Sequence, residues 1–234
     1  MKAVILAGGK GARLHPYTTV LPKPLMPIGD VPVLEVVIRQ LAKHGFKEVI
    51  LAVGYLAELI EAYFRDGSKY GVKIRYSKEE TPLGTAGALK QISNLKDTFL
   101  VMNGDILTDL SYSKLVNFHR EHGGVATIAV HKRQVKIDFG VVGIDSEKKV
   151  VNYKEKPTLD YLVSMGIYVF EPEVLDYIKT GEKLDFPELV KRLMRNGEKV
   201  QAYPSDDYWL DIGRPEDHRK AIEDFEKMRS KFLK

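Results

Sequence analysis

The sequence predicts an α/β protein with an open, mostly parallel, doubly wound sheet and a small antiparallel insertion. In the first half of the 234-residue chain, strand-like and helix-like patterns alternate, which is the signature of βαβ units and a parallel sheet. In the second half, short strand-like runs follow one another with turns between them. We therefore expect an α/β core with an antiparallel segment that supplies part of the binding site.

Hydrophobic periodicity defines the elements of the first half. The first predicted helix, for example, carries Leu34, Val37, Ile38 and Leu41 on one face. The predicted strands are Ala3–Ala7, Glu48–Val53, Lys73–Tyr76 and Thr98–Met102, and the helices between them are Val33–His44, Leu56–Phe64 and Thr85–Ile92. This order predicts an open doubly wound sheet.

The second half is predicted to contain four short strands followed by two helices. The strands are Gly124–His131, Gly140–Asp145, Lys149–Lys154 and Ser164–Phe170, and the helices are Asp185–Asn196 and Pro215–Phe232. In the last helix, Pro215 suits the first turn, and Glu216 and Asp217 suit the amino end of the helix dipole. No repeat of solenoid period is visible.

Composition narrows the class of protein. The length and the lack of a low-complexity linker predict one domain, residues 1–234. The absence of cysteine excludes disulfides and thiolate metal sites, and it indicates a reducing compartment. With no signal-peptide pattern or spanning run, we expect a cytoplasmic protein without a membrane partner. The net charge of +4 comes from interspersed charges, so nucleic acid is not an expected partner either, and a homo-oligomer is compatible with the sequence.

A glycine-rich turn directly after the first strand predicts a phosphate site. Gly8, Gly9 and Gly11 leave backbone N–H groups open to a ligand. Arg13 can fork onto phosphate oxygens, and Lys23 offers a compact charge. The turn is neither a Walker loop, which needs Ser or Thr after Gly-Lys, nor a dinucleotide fingerprint, which needs a third glycine in place of the leucine at position 14. The alternative is a connecting loop with solvated charges.

Two aspartates indicate a magnesium site near this turn. Asp105 follows the strand that ends at Met102, and Asp211 lies between an apolar run and a glycine turn. Ligands of open α/β sheets bind beyond the carboxyl ends of the strands, and magnesium takes oxygen ligands while bridging phosphates. Each aspartate alone would suit a turn or a helix cap, but their pairing with a cationic glycine loop favours metal binding.

Two further segments have functional and structural interpretations. Lys156 could contact an anionic substrate and Glu155 could accept hydrogen bonds from its hydroxyl groups, or both could be the exposed end of a strand. The turn at 82–87 could use free N–H groups to bind a base or ribose, or it could be an ordinary Thr85 cap.

Other single residues favour structural roles. His119 and His122 are three apart on a predicted helix with no third ligand nearby, so we expect a surface helix rather than a metal site. Trp209 is expected to pack in the core and to fix the approach to Asp211.

The glycine turn followed by Leu21-Pro22-Lys23-Pro24-Leu25 resembles the signature of the sugar-1-phosphate nucleotidylyltransferases. The resemblance covers nearly the whole chain, and its further motifs are Pro82–Gly87, Asn103–Asp105, Phe139–Val142, Glu155–Pro157, Gly166–Tyr168 and Trp209–Gly213. It implies a Rossmann-like scaffold, a sugar-binding insertion and magnesium. The implied activity is the transfer of a nucleoside monophosphate from an NTP to a sugar 1-phosphate, with release of pyrophosphate.

The resemblance also implies roles for individual residues. The catalytic residues would be Arg13, Lys23, Asp105 and Lys156, of which Lys156 binds the phosphate of the sugar. Asp105 and Asp211 would hold magnesium. Substrates would contact Leu6, Gly8, Gly9, Gly11, Glu80, Gly84, Thr85, Gly140, Glu155, Gly166 and Asp211.

The segment from Glu79 to Leu89 looks most like the mannose-1-phosphate guanylyltransferase branch, so GTP with mannose 1-phosphate is the best interpretation. The carboxylate of Glu80 would accept from guanine N1–H and the amino group. The sequence Ser164-Met165-Gly166 departs from the Asn-Ala-Gly common in the family, and a C-terminal β-helix domain is not expected. Transfer of UMP or dTMP to glucose 1-phosphate, a non-sugar acceptor and a non-catalytic relative stay open.

Overall fold

The computed structural model of the chain describes residues 1–233, so Lys234, the last residue of the expected domain, lies outside the description. The strands are β1 (Lys2–Ala7), β2 (Glu48–Val53), β3 (Lys73–Lys78), β4 (Phe99–Asn103), β5 (Ile106–Thr108), β6 (Ala126–Lys136), β7 (Val141–Ile144), β8 (Val150–Lys154), β9 (Thr158–Phe170), β10 (Val200–Ser205) and β11 (Trp209–Asp211). The helices are α1 (Val33–Lys43), α2 (Ala57–Phe64), α3 (Gly84–Gly87), α4 (Tyr112–His122), α5 (Phe186–Arg195) and α6 (Pro215–Phe232).

A seven-stranded sheet forms the centre of the molecule, in the order β10-β6-β9-β4-β1-β2-β3. β1 pairs in parallel with β2 and β4, β2 with β3, and β6 with β10. β9 alone runs antiparallel, between β4 and β6. The predicted α/β fold with a mostly parallel sheet is confirmed.

The central strands are buried on both faces, which explains why β1 reads as a continuous apolar run. Because successive side chains point to opposite faces, Ala3 and Ile5 join one core and Val4 joins the other. The first core also holds apolar side chains of α1, α2 and α4, and the second holds those of α3 and α5. Helices on both faces make the sheet doubly wound, as predicted.

A third core seats α6 against the segment that follows Lys23. It joins Ile28 and Ile212 to Phe225 of α6. Two polar contacts add to it: His218 Nε2 lies 2.8 Å from the carbonyl oxygen of Pro27, and Arg229 donates to Asp30 at 2.7 Å. Helix α6 is therefore held against the segment that follows Lys23, although the two are far apart in sequence.

The antiparallel insertion is present and is largely exposed. The outer halves of β6 and β9 pair from Lys132–Leu162 to Lys136–Thr158, and β7 and β8 form a separate two-stranded sheet beyond them. Every residue of β8 is exposed. The insertion therefore contributes little to the core.

Three strands were not predicted from the sequence, because their patterns are short or polar. β10 carries Pro204 and polar residues, and it lies at the edge of the sheet, where proline is tolerated. β5 and β11 have three residues each and pair with one another. The helix predicted at Thr85–Ile92 consists of α3 and a 3₁₀ turn at Ala88–Gln91.

The expectation that both histidines of α4 lie at the surface is wrong for His119. Its side chain is 1% exposed, with Nδ1 2.7 Å from Thr127 Oγ1 and Nε2 3.0 Å from Glu171 Oε1. The helix packs on the sheet along this face, so the imidazole joins β6 to Glu171, the residue that follows β9. His122 is exposed and stacks on Phe118, as a surface residue would. No helix within residues 1–233 is long and apolar enough to cross a membrane.

Candidate active site

A cavity of about 440 Å³ opens at the carboxyl ends of β1 and β4, where the sequence predicts the site. Its walls are the glycine turn after β1, the Lys23 segment, the turn at 82–85 and the end of β4. It brings together nine of the predicted residues, which are Leu6, Gly8, Gly9, Gly11, Arg13, Lys23, Gly84, Thr85 and Asp105.

The glycines of the first turn serve different purposes. A Cβ on Gly9 would meet nothing within 4 Å, so its backbone is open to a ligand. Gly11 has φ +62°, and a Cβ there would lie 2.9 Å from Thr18 Cγ2, so the fold itself requires this glycine. Leu14, in the place of a third glycine, is fully buried and anchors the turn. The turn is thus rigid at one end and accessible at the other.

Arg13 extends from the glycine turn towards the residues after β11. Its guanidinium lies against Gly213, where a Cβ would come within 3.3 Å of a guanidinium nitrogen. Arg13 therefore lies close to Asp211, and its charge lowers the pKa of that carboxyl group, although less than burial raises it.

Lys23 and Asp105 form an ion pair at the floor of the cavity. Lys23 lies in a 3₁₀ turn, Lys23–Leu25, and Asp105 lies between β4 and β5. Their side chains are 12% and 20% exposed, and Asp105 Oδ1 is buried without a hydrogen-bond partner. The adjacent Gly104 donates its N–H to the carbonyl oxygen of Leu6 at 2.9 Å, which fixes Asp105 against β1.

Asp211 is brought to Asp105 by the pairing of β11 with β5. Asp211 is opposite Ile106, and the N–H of Ile212 donates to the carbonyl oxygen of Asp105 at 3.0 Å. Burial raises the pKa of Asp211, and the charge of Asp105 raises it further. Two carboxylates, one with an unpartnered buried oxygen, suit a hard cation.

Within residues 1–233, no cluster of three or more histidine, cysteine or carboxylate side chains could hold a metal. A pair of aspartates still fits magnesium, which is usually bound through one or two carboxylates together with substrate phosphates and water. The structure thus brings the predicted pair of aspartates to the same place beside the first cavity.

A second cavity of about 220 Å³ adjoins the first, and Asn103 lines both. It contains Gly166 and Asp211, as predicted, together with Trp209. Gly166 has φ +71°, and a Cβ there would lie 2.7 Å from Asn103 Nδ2. Glycine is therefore needed for the close approach of the Asn103 side chain.

Sequence reasoning missed Asn103, Trp209, Ser164 and Tyr168 as cavity residues. Trp209 packs against the core as expected, and its indole N–H donates to the carbonyl oxygen of Met165 at 2.9 Å. Ser164 Oγ and Tyr168 OH are 3.0 Å apart. The position of Asn103 directly after a buried strand could have identified it.

The interpretation that the 82–87 turn offers free N–H groups is wrong for three residues. The N–H of Thr85 donates to Asp185 Oδ1 at 2.9 Å, and those of Ala86 and Gly87 donate to the carbonyl oxygen of Leu184 at 2.9 and 3.0 Å. The segment before α5 packs against this turn and occupies its donors. Gly84 and Thr85 still line the cavity.

Glu79, rather than the predicted Glu80, faces the first cavity. Glu80 is exposed and lines neither cavity, whereas Glu79 is half-buried and its Oε2 would lie 3.6 Å from a Cβ on Gly8. The N–H of Glu79 donates to the carbonyl oxygen of Val53, so strand pairing continues by one residue beyond β3. Because successive side chains of a strand point to opposite faces, Glu79 and Glu80 point in opposite directions. Burial raises the pKa of Glu79.

Gly140, Glu155 and Lys156 line neither cavity. They lie around the β7–β8 hairpin, where Tyr153 OH donates to Glu155 Oε2 at 3.0 Å and a Cβ on Gly140 would lie 2.2 Å from that hydroxyl. Lys156 is exposed. The structure thus gathers Gly140 and Glu155 around one tyrosine but does not join the hairpin to Asp105.

The doubly wound sheet with a cationic glycine turn at its carboxyl edge has the architecture with which α/β proteins hold phosphate groups. The family model described as nucleotidyl transferase matches residues 2–228. The chain belongs to this family.

Two curated relatives of the chain are named for different substrates. The chain is 41% identical over 242 residues to UTP–glucose-1-phosphate uridylyltransferase of Synechocystis sp., covering 95% of this chain and 62% of the relative. It is 37% identical over 229 residues to mannose-1-phosphate guanylyltransferase of Mycobacterium tuberculosis, covering 95% and 64%. The chain thus spans less than two thirds of the length of these relatives.

Solved structures share the fold over almost their full length. HddC from Yersinia pseudotuberculosis, solved in complex with GMP-PN, has a TM-score of 0.73 at 27% identity, covering 96% of this chain and 99% of that one. A putative glucose-1-phosphate thymidylyltransferase from Bacillus anthracis has a TM-score of 0.78 at 24% identity, covering 95% and 94%.

Proposed function

We propose that the protein transfers a nucleoside monophosphate from an NTP to a sugar 1-phosphate, forming an NDP-sugar and pyrophosphate. The observation that carries the proposal is the junction of the two cavities at Asn103, with Arg13, Lys23, Asp105 and Asp211 around it. The larger cavity would take the NTP and the smaller one the sugar phosphate. The reacting groups would then meet beside the cations.

The proposed reaction is a single in-line displacement. An oxygen of the sugar phosphate attacks the α-phosphorus, and the bond from that phosphorus to the pyrophosphate oxygen breaks. Such a transfer depends on alignment and charge neutralisation, and the attacking phosphate is already ionised, so no nucleophilic side chain is required. Arg13 would stabilise the departing pyrophosphate and Lys23 would bind near the α-phosphate. Trapping a nucleotidylated protein during turnover would refute this mechanism.

Asp105 and Asp211 are the proposed magnesium ligands, because the unpartnered oxygen of Asp105 and the neighbouring carboxylate of Asp211 fit a hard cation. When bound, magnesium would offset negative charge on the polyphosphate. Substitution Asp105→Asn should abolish metal-dependent pyrophosphate release and leave the thermal unfolding profile cooperative. Unchanged activity would reject the assignment.

Lys156 and Glu155 remain the proposed contacts for the phosphate and hydroxyl groups of the sugar, with Gly140 beside them. They line neither cavity. This role therefore requires the β7–β8 hairpin to move towards Asp211 when the acceptor binds. The exposure of the whole of β8 supports such a movement, since few contacts oppose it.

GTP with mannose 1-phosphate is the proposed substrate pair, and UTP with glucose 1-phosphate is the second candidate. The Glu79 carboxylate at the first cavity supports GTP, because guanine presents N1–H and an amino group to a carboxylate whereas uracil presents one donor. The names of relatives include both pairs.

A pyrophosphate-release assay that crosses GTP, UTP, dTTP, ATP and CTP with a panel of sugar 1-phosphates tests the proposal. We expect the highest kcat/KM with GTP and mannose 1-phosphate. Preference for a pyrimidine nucleotide would overturn the GTP assignment. Release only with phosphocholine or a phospho-alcohol would replace the sugar acceptor, and binding without release from any pair would favour a non-catalytic relative.

A further inference from the structure

The segment before α5 and the turn at 84–87 exchange hydrogen bonds across the wall of the larger cavity. Asp185 Oδ1 accepts from the N–H of Thr85 at 2.9 Å and from its hydroxyl at 3.3 Å. In return, Thr85 Oγ1 accepts from the N–H of Phe186 at 2.9 Å. Each residue therefore satisfies a backbone donor of the other segment, about one hundred positions away in sequence.

This exchange replaces the capping that each helix would make for itself. Asp185 is the N-cap residue of α5, a position where aspartate commonly accepts from its own helix, yet its side chain makes no such bond. It accepts instead from the second residue of α3. The first N–H of α5 is satisfied by Thr85. The side chain of Asp185 thus serves the cavity wall rather than its own helix.

The surrounding backbone leaves little room for another arrangement. The N–H of Leu184 donates to the carbonyl oxygen of Leu83 at 2.8 Å, and a Cβ on Gly84 would lie 2.6 Å from the carbonyl oxygen of Leu184. A Cβ on Gly87 would lie 2.3 Å from the carbonyl oxygen of Glu182. Both glycines are therefore required by this contact, not by a ligand.

The 84–87 turn lines the larger cavity, whereas the residue that holds it from the other side does not. Gly84 and Thr85 line the larger cavity beside Glu79, but Asp185 lines neither cavity. A carboxylate that holds Thr85 from behind fixes the wall without touching a nucleotide. The bond to the N–H is charge-assisted and so is stronger than a neutral one.

We propose that Asp185 is a positioning residue that holds the Gly84–Thr85 wall in place for the base or ribose of the nucleotide. The inference rests on the proposed function, because it takes the larger cavity as the NTP site. Asp185 would then contribute to nucleotide affinity and to discrimination between bases, although it does not line the larger cavity. The sugar phosphate should be unaffected, since Asp185 is absent from the second cavity.

The variants Asp185→Ala and Asp185→Asn test this role, with Glu188→Ala as the matched control. Glu188 is the acidic residue in the first turn of the same helix, and it pairs with Lys191 and Arg195 at the surface. Glu188→Ala therefore removes the same charge from the helix end without touching the 84–87 turn. Asparagine keeps an acceptor oxygen for the N–H and hydroxyl of Thr85.

The measurements are equilibrium binding of the preferred NTP without acceptor, KM for each substrate, the ratio of kcat/KM between NTPs, and the melting temperature. For Asp185→Ala we expect about tenfold weaker NTP binding and a smaller preference between NTPs, with KM for the sugar phosphate unchanged. Asp185→Asn should recover most of the affinity, and Glu188→Ala should match the wild type.

A lower melting temperature with unchanged NTP affinity would overturn the inference, since it would mean that Asp185 only stabilises the fold. If Asp185→Ala does not fold, Asp185→Asn and Thr85→Val decide the question: wild-type NTP affinity in Thr85→Val contradicts the role of the exchange. Failure of the wild type to bind any NTP would instead refute the proposed function. A wild-type protein that turns over, with an unaffected Asp185→Ala, refutes this inference alone.

Discussion

The ammonium group of Lys23 contacts one oxygen of the Asp105 carboxylate, while the other oxygen is buried and has no hydrogen-bond partner. The cation proposed to bind the α-phosphate is thus the counter-ion of a proposed metal ligand. Asp211 lies beside the pair, and burial raises the pKa of its carboxyl group. Lys23 therefore neutralises part of a site that would otherwise hold two carboxylates close together.

Substitution Lys23→Met should make nucleotide-free protein bind Mn²⁺ more tightly, by about tenfold, even though activity is lost. Removing the ammonium leaves the charge of Asp105 without compensation and raises its attraction for a cation. Electron paramagnetic resonance titration with Mn²⁺ measures the affinity. Lys96→Met, at an exposed position, is the control and should not change it. Equal or weaker Mn²⁺ binding by Lys23→Met would contradict the counter-ion role.

Substitution Glu79→Gln should lower the preference for GTP over UTP by about tenfold. Glutamine keeps one acceptor oxygen but replaces the other with an amide donor, which cannot pair with the donors of guanine. The ratio of the two kcat/KM values measures the effect. Glu80→Gln is a matched control, because Glu80 adjoins Glu79 but is exposed. If Glu80→Gln shifted the ratio and Glu79→Gln did not, the guanine contact would belong to Glu80 instead.

Substitution Gly166→Ala should raise KM for the sugar phosphate more than KM for the NTP. The methyl group would lie 2.7 Å from Asn103 Nδ2, which must then move within the second cavity. Both Gly166 and Gly197 have positive φ, at +71° and +77°, but a Cβ on Gly197 meets nothing within 4 Å.

Gly197→Ala therefore serves as the control for the backbone strain, which costs roughly 1–3 kcal/mol at either position. Steady-state kinetics and chemical denaturation of both variants separate the two effects. If Gly166→Ala and Gly197→Ala lost similar stability and Gly166→Ala kept its KM for the sugar phosphate, Asn103 would not be needed for acceptor binding.

Substitution Glu182→Gln should lower the melting temperature at neutral pH, and the difference should disappear in acid. Hydrogen bonds from Arg192 lower the pKa of Glu182 from 4.5 to about 2. A carboxyl group with a lowered pKa in the folded state stabilises that state above its unfolded pKa. This contribution is lost as pH falls from about 4.5 towards 2.

Melting curves of wild type and Glu182→Gln between pH 7 and pH 2 measure this dependence. Glu188→Gln, on the helix that carries Arg192 but in exposed surface pairs, should show a smaller difference at neutral pH. A constant gap between Glu182→Gln and wild type across the whole range would contradict the assigned pair.

The inner part of the central sheet was predictable because β1, β2 and β4 are almost fully buried and read as apolar runs between turns. The sequence also indicated that Asp105 and Asp211 belong to one site, although the pairing of β5 with β11 that brings them together was not predicted. By contrast, β10 combines polar residues with a proline, and only its place beside β6 makes it a strand. Local pattern cannot report a pairing partner that is many residues away.

The predictions about the site that were wrong failed because they depend on contacts between segments that are distant in sequence. The hydrogen bonds of Thr85 depend on Asp185, and no local signal reveals that a donor is already occupied. The choice between Glu79 and Glu80 depended on one more residue of pairing beyond β3, which reverses the side-chain direction. His119 was misplaced because its partners, Thr127 and Glu171, lie on other elements.

The seating of α6 on the segment after Lys23 has a consequence for synthesis on the ribosome. The glycine turn and Lys23 emerge early, whereas Asp211 and the helix that contacts Pro27 and Asp30 emerge some two hundred residues later. A nascent chain can complete the parallel strands β1 to β4 but lacks the second carboxylate. With Asp105 and Asp211 as the proposed magnesium ligands, the proposed metal site is complete only after β11 has paired with β5.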